Sequence, residues 1–509
     1  MKLYYKIKTI CLLVILLSTS GCIDKLDEPE LNNNFTGNTD YTKTDNMILS
    51  LIGVYDTFYD TGWEVPLLIG VRGDDVNAAG DQAVYQDTDV YKYDANNWMY
   101  NSAWKAFYGD IAKANAAIEE INKYQDYADS DGVKLGEQYK AELKVMRAVD
   151  HYYLSEMWGN VFIVDSSNIA EEARVQELPT KEEVMQFISD QMDEAIPNLP
   201  KVRPNQRVDL PGAITAYTAY AVKALANQEI GNYQAVADAT GEIIRSNLFK
   251  LYPDYYELFK TPGKLSDENL LELQFSDYGQ GSGDRESHLY APYGPANWTP
   301  SVTGASGGWG FYEPSLKYVL FMLDRGETDR LETSVLFTNE GIAQIQQHPG
   351  NETLPSFVAN TTRDGDVIND NVRAMFSSGK HYLPSNQLIP GRTEYGSNKN
   401  YIMIRYAEVL LMYAEALTRG ASGMGMTADD AVNMVRERVN MAALSNVTTE
   451  QVLDEKFAEL ALEWGKRYYD LIRVDDYDDL NYEGRTFSGD KELLPYPQEQ
   501  VDELPLLSN

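Results

Sequence analysis

Cysteine is nearly absent from this chain: Cys11 and Cys22 are the two thiols in 509 residues. A disulfide framework and Cys-ligated metal sites are therefore excluded. Histidine is scarce as well. His151, His288, His348 and His381 complete the set, and none shows metal-ligand spacing of the H-E-x-x-H kind. Positive charge is in deficit, with 43 Lys and Arg against 78 Asp and Glu and a net charge of −35. Polyanions such as nucleic acid or anionic lipid are poor partners for such a surface. Long apolar runs are missing too. The longest, Ile10 to Leu17, is too short to span a bilayer. What the chain does have is aromatic side chains: 36 tyrosines and seven tryptophans. They suit sugar-like ligands and core filling equally.

The short apolar run follows Lys2, Lys6 and Lys8 and leads through Ser18-Thr19-Ser20-Gly21 into Cys22. This is the pattern of a secretory signal peptide over residues 1–21. Its junction resembles a bacterial lipobox, departing from it at Thr19. In that scheme the Cys22 thiol is diacylated, the chain is cut before it, and the new amino terminus is acylated. Two or more acyl chains give stable anchoring, where one gives reversible binding. The acids after Cys22 (Asp24, Asp27, Glu28) resemble the surface-export signal of Bacteroidetes lipoproteins. Removing residues 1–21 takes away three lysines and no acids, so the mature net charge is −38.

Helical periodicity dominates the mature chain. It predicts helices over 44–59, 101–124, 136–158 (closing at Gly159-Asn160), 181–196, 313–325, 401–420 and 427–440. Residues 213–245 read as a helix, a Gly-Asn-Tyr turn and a second helix. Alanines at 216, 221, 226, 235 and 237 allow close approach, as in one tetratricopeptide (TPR) repeat. The pairs 401–420/427–440 and 101–124/136–158 have the same form. Between them, residues 250–400 are rich in Gly, Pro, Asn and aromatics, with a possible short strand in "ENLLELQFS". An irregular segment of that length in a compact protein usually builds a binding surface. The prediction is an all-α fold in which residues 22–509 form one domain. TPR-like helices (mainly 44–245 and 401–475) carry the loop-rich insertion.

Four C-terminal blocks occur in order: "RYAEVLLMYAEAL" (405–417), "AVNMVRERVN" (431–440), "LDEKFAELALEWGKRYYDLIR" (453–473) and "LLPYPQEQV" (493–501). Together with "CIDKLDEPE", "WKAFYGDIAKANAAIEEI" and "AELKVMRAVDHYYLSEMWGNVFIV" they resemble the SusD/RagB family of outer-membrane nutrient-binding lipoproteins. The departures are Glu463-Trp464-Gly465 and Pro495-Tyr496-Pro497. The resemblance implies four TPR-like helix pairs and no catalysis. It also implies a lipid anchor facing the cell exterior and capture of an oligosaccharide for a SusC-like, TonB-dependent transporter. Lipid-anchored glycoside hydrolysis and RagB-like peptide capture stay open as alternatives. Arg405, Glu408, Glu415, Arg467, Asp470 and Arg473 sit at helical spacings that suit helix-to-helix pairing rather than ligand contact.

No catalytic motif survives inspection. "GASGG" (304–308) has the letters of a nucleophile elbow around Ser306, without the strand before and helix after that the elbow needs. "ADSDGVKLGEQ" (128–138) resembles a calcium loop but carries Tyr127 and Gln138 at the first and last ligand places. No cofactor or metal is implied. For the ligand face, Trp98, Trp104, Trp158 and Trp464 belong to helical blocks and are expected in the core. Trp63, Trp298 and Trp309 lie in Gly/Pro-rich loops. Trp309 is the leading candidate, because the SusD family places a glycan-stacking aromatic just before the corresponding helix. Tyr290, Tyr293 and Tyr312 are expected to extend its platform, with Arg72, Asp75 and Asn77 as hydrogen-bonding company.

Overall fold

A computed structural model describes residues 39–167, 177–277, 288–389 and 397–508. The signal segment, Cys22 and the acids behind it lie outside the described residues. Helices form where the periodicity is strongest: α1 (Met47–Tyr59), α2 (Glu64–Gly70), α3 (Trp98–Gln125), α4 (Ser130–Trp158), α5 (Lys181–Ala195), α6 (Ala216–Glu229) and α7 (Tyr233–Arg245). Beyond the insertion come α8 (Leu316–Asp324), α9 (Tyr406–Thr418), α10 (Ala428–Arg438), α11 (Thr449–Leu460) and α12 (Lys466–Arg473). Local chemistry sets their ends. Thr180 and Glu183 close a capping box on α5, and Asn232 accepts from Ala235 N at the start of α7. Asp129 accepts from the backbone of Asp131 and Gly132, so the calcium-like stretch is the N-terminal cap and first turns of α4. That helix begins six residues before the expected 136.

The helices stack in series, α3 on α4, α4 on α5, α5 on α6, α6 on α7, and then α7 on α9 and α9 on α10. Two helices distant in sequence, α7 and α9, are thus neighbours in one continuous stack. The reason is visible in the strands. β2 (Asn269–Leu273) pairs antiparallel with β8 (Tyr401–Arg405), so both ends of the insertion meet. Residues 401–405 are therefore a strand rather than the first turn of a helix, a correction to the periodicity reading. Their side chains alternate with β-branched and aromatic residues and are paired before α9 begins. Likewise 312–314 is strand β4 and α8 starts at Leu316, capped by Ser315.

Three more two-stranded ribbons tie the insertion down. β1 (Val76–Ala78) pairs with β4 (Tyr312–Pro314), β3 (Trp298–Thr299) with β6 (Val367–Ile368), and β5 (Val335–Phe337) with β7 (Phe376–Ser378), all antiparallel. The β1–β4 register, Val76 opposite Pro314 and Ala78 opposite Tyr312, fixes the insertion to the N-terminal half. Among the described residues no helix is long and apolar enough to cross a membrane.

Candidate functional site

Three tryptophans from three separate segments meet at one solvent-facing place. Trp63 stands just before α2, Trp98 opens α3, and Trp309 lies in the loop leading to β4. The Trp63 ring is 5.6 Å from Trp309 at 89° and 5.9 Å from Trp98 at 62°. Phe311 lies beneath them, 5.3 Å from Trp309 and 6.0 Å from Trp63, and is buried. Trp98 is 47% exposed, whereas Trp63 and Trp309 are half-buried. Edge-to-face packing fixes each ring without hiding every face, which is what a stacking platform requires.

The backbone under the platform is held tightly. Phe311 N donates to Pro292 O at 2.8 Å, Gly310 N to Gly294 O at 2.9 Å, and Ala79 N to Phe311 O at 2.9 Å. Gly80, at φ +82°, presses against the Phe311 ring, and a Cβ there would lie 2.2 Å from it. Gly308 similarly has backbone of Gly294 within 2.6 Å of where a Cβ would sit. The Gly-Gly before Trp309 is therefore a close-approach device and not slack.

Polar groups flank the rings. Arg373 and Asp81 form an exposed ion pair at 2.9 Å beside Gly80. One turn along α3 from Trp98, Asn101 donates to Glu499 at 2.6 Å and accepts from Gln500 at 2.9 Å, while Lys105 pairs with Glu499 at 2.9 Å. Ser102 donates to Glu64. The site thus offers apolar ring faces bordered by amide, guanidinium, ammonium and carboxylate groups.

The sequence-nominated residues divide sharply. Trp63 and Trp309 join the platform. Trp298 is half-buried but is not in ring contact with them; it meets Tyr382 edge-on at 6.0 Å and backs Gly307, so it pins the loop. Tyr290, Tyr293 and Tyr312 are buried, Tyr290 to 1% exposure, and present no face to a ligand in this structure. Tyr293 is sandwiched on His381 at 3.9 Å. Arg72 is wholly enclosed, donating to Glu492 O at 3.1 Å and the Tyr469 hydroxyl at 3.2 Å. Asp75 accepts from Leu462 N at 2.7 Å, and burial pushes its carboxyl up to about 7. Asn77 bridges Glu483 at 2.9 Å and Arg485 at 2.8 Å. "VRGDDVN" is a structural joint between the N-terminal half and the C-terminal tail, because most of its desolvated polar groups are matched internally, Arg72 Nε and Asp75 Oδ1 excepted.

Trp98 is the residue the sequence reading misplaced. Trp104 and Trp158 are buried and pack edge-to-face at 5.2 Å, as expected of helical tryptophans. Trp98 is the first residue of α3, capped by Asn97, and no preceding turn covers it. The signal was the Asn-Asn pair immediately before it.

The family model described as "SusD family" matches residues 267–508, and one described as "Starch-binding associating with outer membrane" matches residues 41–224. The chain belongs to the SusD/RagB family. A SusD-like protein of Bacteroides ovatus is 22% identical over 93% of this chain and 83% of its own length. A SusD-like protein of Formosa agariphila is 24% identical over 91% of this chain and 90% of its own. Among solved structures, surface glycan-binding protein A from Bacteroides thetaiotaomicron in complex with laminarihexaose superposes with a TM-score of 0.73. It is 22% identical, covering 91% of this chain and 98% of the relative. A laminarin-binding SusD-like protein gives the same TM-score at 22% identity, covering 90% of this chain and 97% of that one. At these identities the superpositions establish the SusD fold.

The C-terminal blocks of this SusD-family chain form a buried ion network. Arg405, fully enclosed, reaches Glu268 at 3.0 Å, Glu459 at 2.5 Å and Glu463 at 2.8 Å. Arg330 reaches Glu327 at 2.6 Å, Glu455 at 2.7 Å and Glu459 at 3.3 Å, and Arg438 joins Glu268 to Glu459. Burial alone would raise the Glu459 carboxyl, but Arg438, Arg405 and Arg330 outweigh it and hold it at about 2. Glu415, Arg473, Lys456 and Asp470 form a second such knot. These residues join helices, and none faces the platform. Ser306, in an irregular loop with neither flanking strand nor helix, has no nucleophile-elbow geometry. Among the described residues no group of three His, Cys, Asp or Glu side chains converges to hold a metal.

Proposed function

We propose that this protein is a non-catalytic, lipid-anchored binder on the outer surface of the outer membrane, which captures an oligosaccharide and passes it to a SusC-like TonB-dependent transporter. The observation that carries this reading is the Trp63–Trp98–Trp309 platform, solvent-facing, rigidly backed and bordered by hydrogen-bonding side chains. Sugar rings present apolar CH faces, which stack on indoles, and hydroxyls, which Asn101, Arg373 and Asp81 are placed to bond. The relatives named as glycan- and laminarin-binding proteins support the same reading. Cys22 supplies the anchor, and the SusC-like barrel supplies the route inward.

The decisive experiment is calorimetric titration of laminarihexaose and a panel of other neutral oligosaccharides. One of these binds the wild type, and Trp309→Ala, folded by circular dichroism, binds it roughly five- to 150-fold more weakly. That span corresponds to about 1–3 kcal/mol for one stacked ring, by analogy with base stacking on aromatic platforms. Equal affinity in the folded variant removes Trp309 from the site. Release of reducing sugar by the wild type replaces binding with hydrolysis. Mass spectrometry of the mature N-terminus checks the acylated Cys22, and co-purification in mild detergent checks the transporter.

A further inference from the structure

The border of the platform carries charges, and they stand in pairs. Arg373 holds Asp81 at 2.9 Å, and Lys105 holds Glu499 at 2.9 Å. All four side chains are more than half exposed, so a ligand on the rings can reach them. A third carboxylate, Glu64, follows Trp63 and accepts from Ser102. Among the described residues named on this border, three acids face two cations, on a chain of net charge −35.

The pairs are held in place. Asp81 follows Gly80, which is pressed on the Phe311 ring. Arg373 arrives from a turn on the other side of residues 309–311. In that turn Arg373 N donates to Asn371 Oδ1 at 3.1 Å, and Asn369 N to Asn297 O at 3.0 Å. Asn297 Nδ2 donates back to Asp370 O at 2.7 Å. Its neighbour Ala296 lies against Gly310, where an added Cβ would be 3.0 Å from the Ala296 Cβ. The Asp81–Arg373 pair thus joins two loops that flank Trp309. Glu499 is fixed in turn by Asn101, one helical turn from Trp98.

An exposed ion pair matches a hydroxyl. A hydroxyl both donates and accepts, so a neutral diol satisfies the carboxylate and the cation without separating them. A carboxylate or sulfate on a ligand has no proton to donate. It competes with Asp81 for Arg373 and with Glu499 for Lys105, and it leaves the displaced acid facing a like charge. Like charges set against each other suppress binding. On the reading that the platform is the glycan site, we infer that the Asp81–Arg373 and Glu499–Lys105 pairs form a charge filter: the site takes uncharged oligosaccharides and rejects those bearing carboxylate or sulfate groups.

The test is calorimetry with matched ligands. Each neutral oligosaccharide that binds the wild type, laminarihexaose first, is compared with the same oligosaccharide after its primary hydroxyls are oxidised to carboxylates. The carboxylated form is expected to bind at least about tenfold more weakly. Added salt narrows the gap, because repulsion between exposed charges is screened. The double variant Asp81→Asn, Glu499→Gln shrinks the gap at least about fivefold at low salt, whereas Asp81→Glu, which keeps the charge, preserves it. A ratio of two affinities on one folded protein separates a filter from a general loss of binding. The salt series needs no variant, so it decides the matter even where a variant fails to fold. Equal affinity for both forms, binding of the carboxylated form alone, carboxylate binding that weakens with salt, or a gap unchanged in the folded double variant overturns the filter. In each of those cases, loss of binding in Trp309→Ala leaves the platform standing. If neither form of any oligosaccharide binds, the platform reading falls and the filter with it.

Discussion

On α6 and α7, which pack together, many of the buried side chains are small: Ala216, Ala219, Ala221, Ala224 and Ala226 on one helix, Ala237, Ala239 and Gly241 on the other, beside the larger Val222, Val236, Ile243 and Ile244. Around Glu459 they are large and charged: Arg330, Arg405 and Arg438 against Glu268, Glu455, Glu459 and Glu463. The first interface is held by close backbone approach and apolar contact. The second is held by charges that stabilise only while all partners are present, since each ion has given up its hydration. The alanine interface tolerates loss and resists gain of volume; the ionic one resists loss. That difference matches their tasks. One is a repeating scaffold, and the other binds β2, β8, α10 and α11 at the place where the insertion rejoins the stack.

The contrast breaks most readily at Arg405. Arg405→Met leaves Glu268, Glu459 and Glu463 facing one another without water. A loss of about 3–5 kcal/mol in urea unfolding is expected. A loss below that of an alanine-interface variant would mean the network is not the stronger constraint. Ala224→Leu is that variant. Overpacking the α6 interface is expected to lower stability by about 1–3 kcal/mol.

Titration sharpens the comparison. Glu459, held at about 2, gives stability that is complete above the unfolded carboxylate range near 4.5 and disappears as pH falls toward 2. Asp75, raised by burial to about 7, and Glu313, raised by burial to about 8, have the opposite sign. Their contribution is complete below about 4 and is lost as pH rises through 7 to 8. The melting temperature is expected to peak at about pH 4 and fall on both sides. Glu313→Gln, which keeps acceptors for Met375 N and Phe376 N, flattens the alkaline side. A wild-type melting temperature still climbing from pH 6 to 8 contradicts the assignment.

The smallest stability effect belongs to the platform. Trp98→Ala, at a half-exposed helix start, is expected to shift unfolding by less than about 1 kcal/mol while weakening oligosaccharide binding. Parallel urea and calorimetric titrations separate the two. A large destabilisation would return Trp98 to the core.

Much of the helical scaffold was legible in the residues. The run Trp104, Phe107, Tyr108, Ile111, Ala114 and Ile121 is buried along α3, and Gly159 ends α4 at φ +74°. The Gly231-Asn232 turn separates α6 from α7 as its composition indicates. The site was legible only in part. Trp309 follows a Gly-Gly that reads as loop, whereas Tyr293 and Tyr312 have the same loop-like neighbours and are buried. Nothing within a few residues distinguishes them. Tyr293 is covered by His381, and Tyr312 pairs across β1–β4 with Ala78.

Cap chemistry, helical period and alanine spacing act between residues three or four apart, so the sequence alone determined where α3–α7 run and that α6 and α7 approach closely. The order of blocks along the chain was likewise enough to indicate the family. Exposure is different, because it depends on what arrives from elsewhere in the chain. Trp63, Trp98 and Trp309 come from segments separated by up to 246 positions and form one platform only after β1 has paired with β4. Arg405 and Glu459 look like surface charges in any local window. Tertiary packing alone decided that they lose their water together and so become a brace rather than a solvated face.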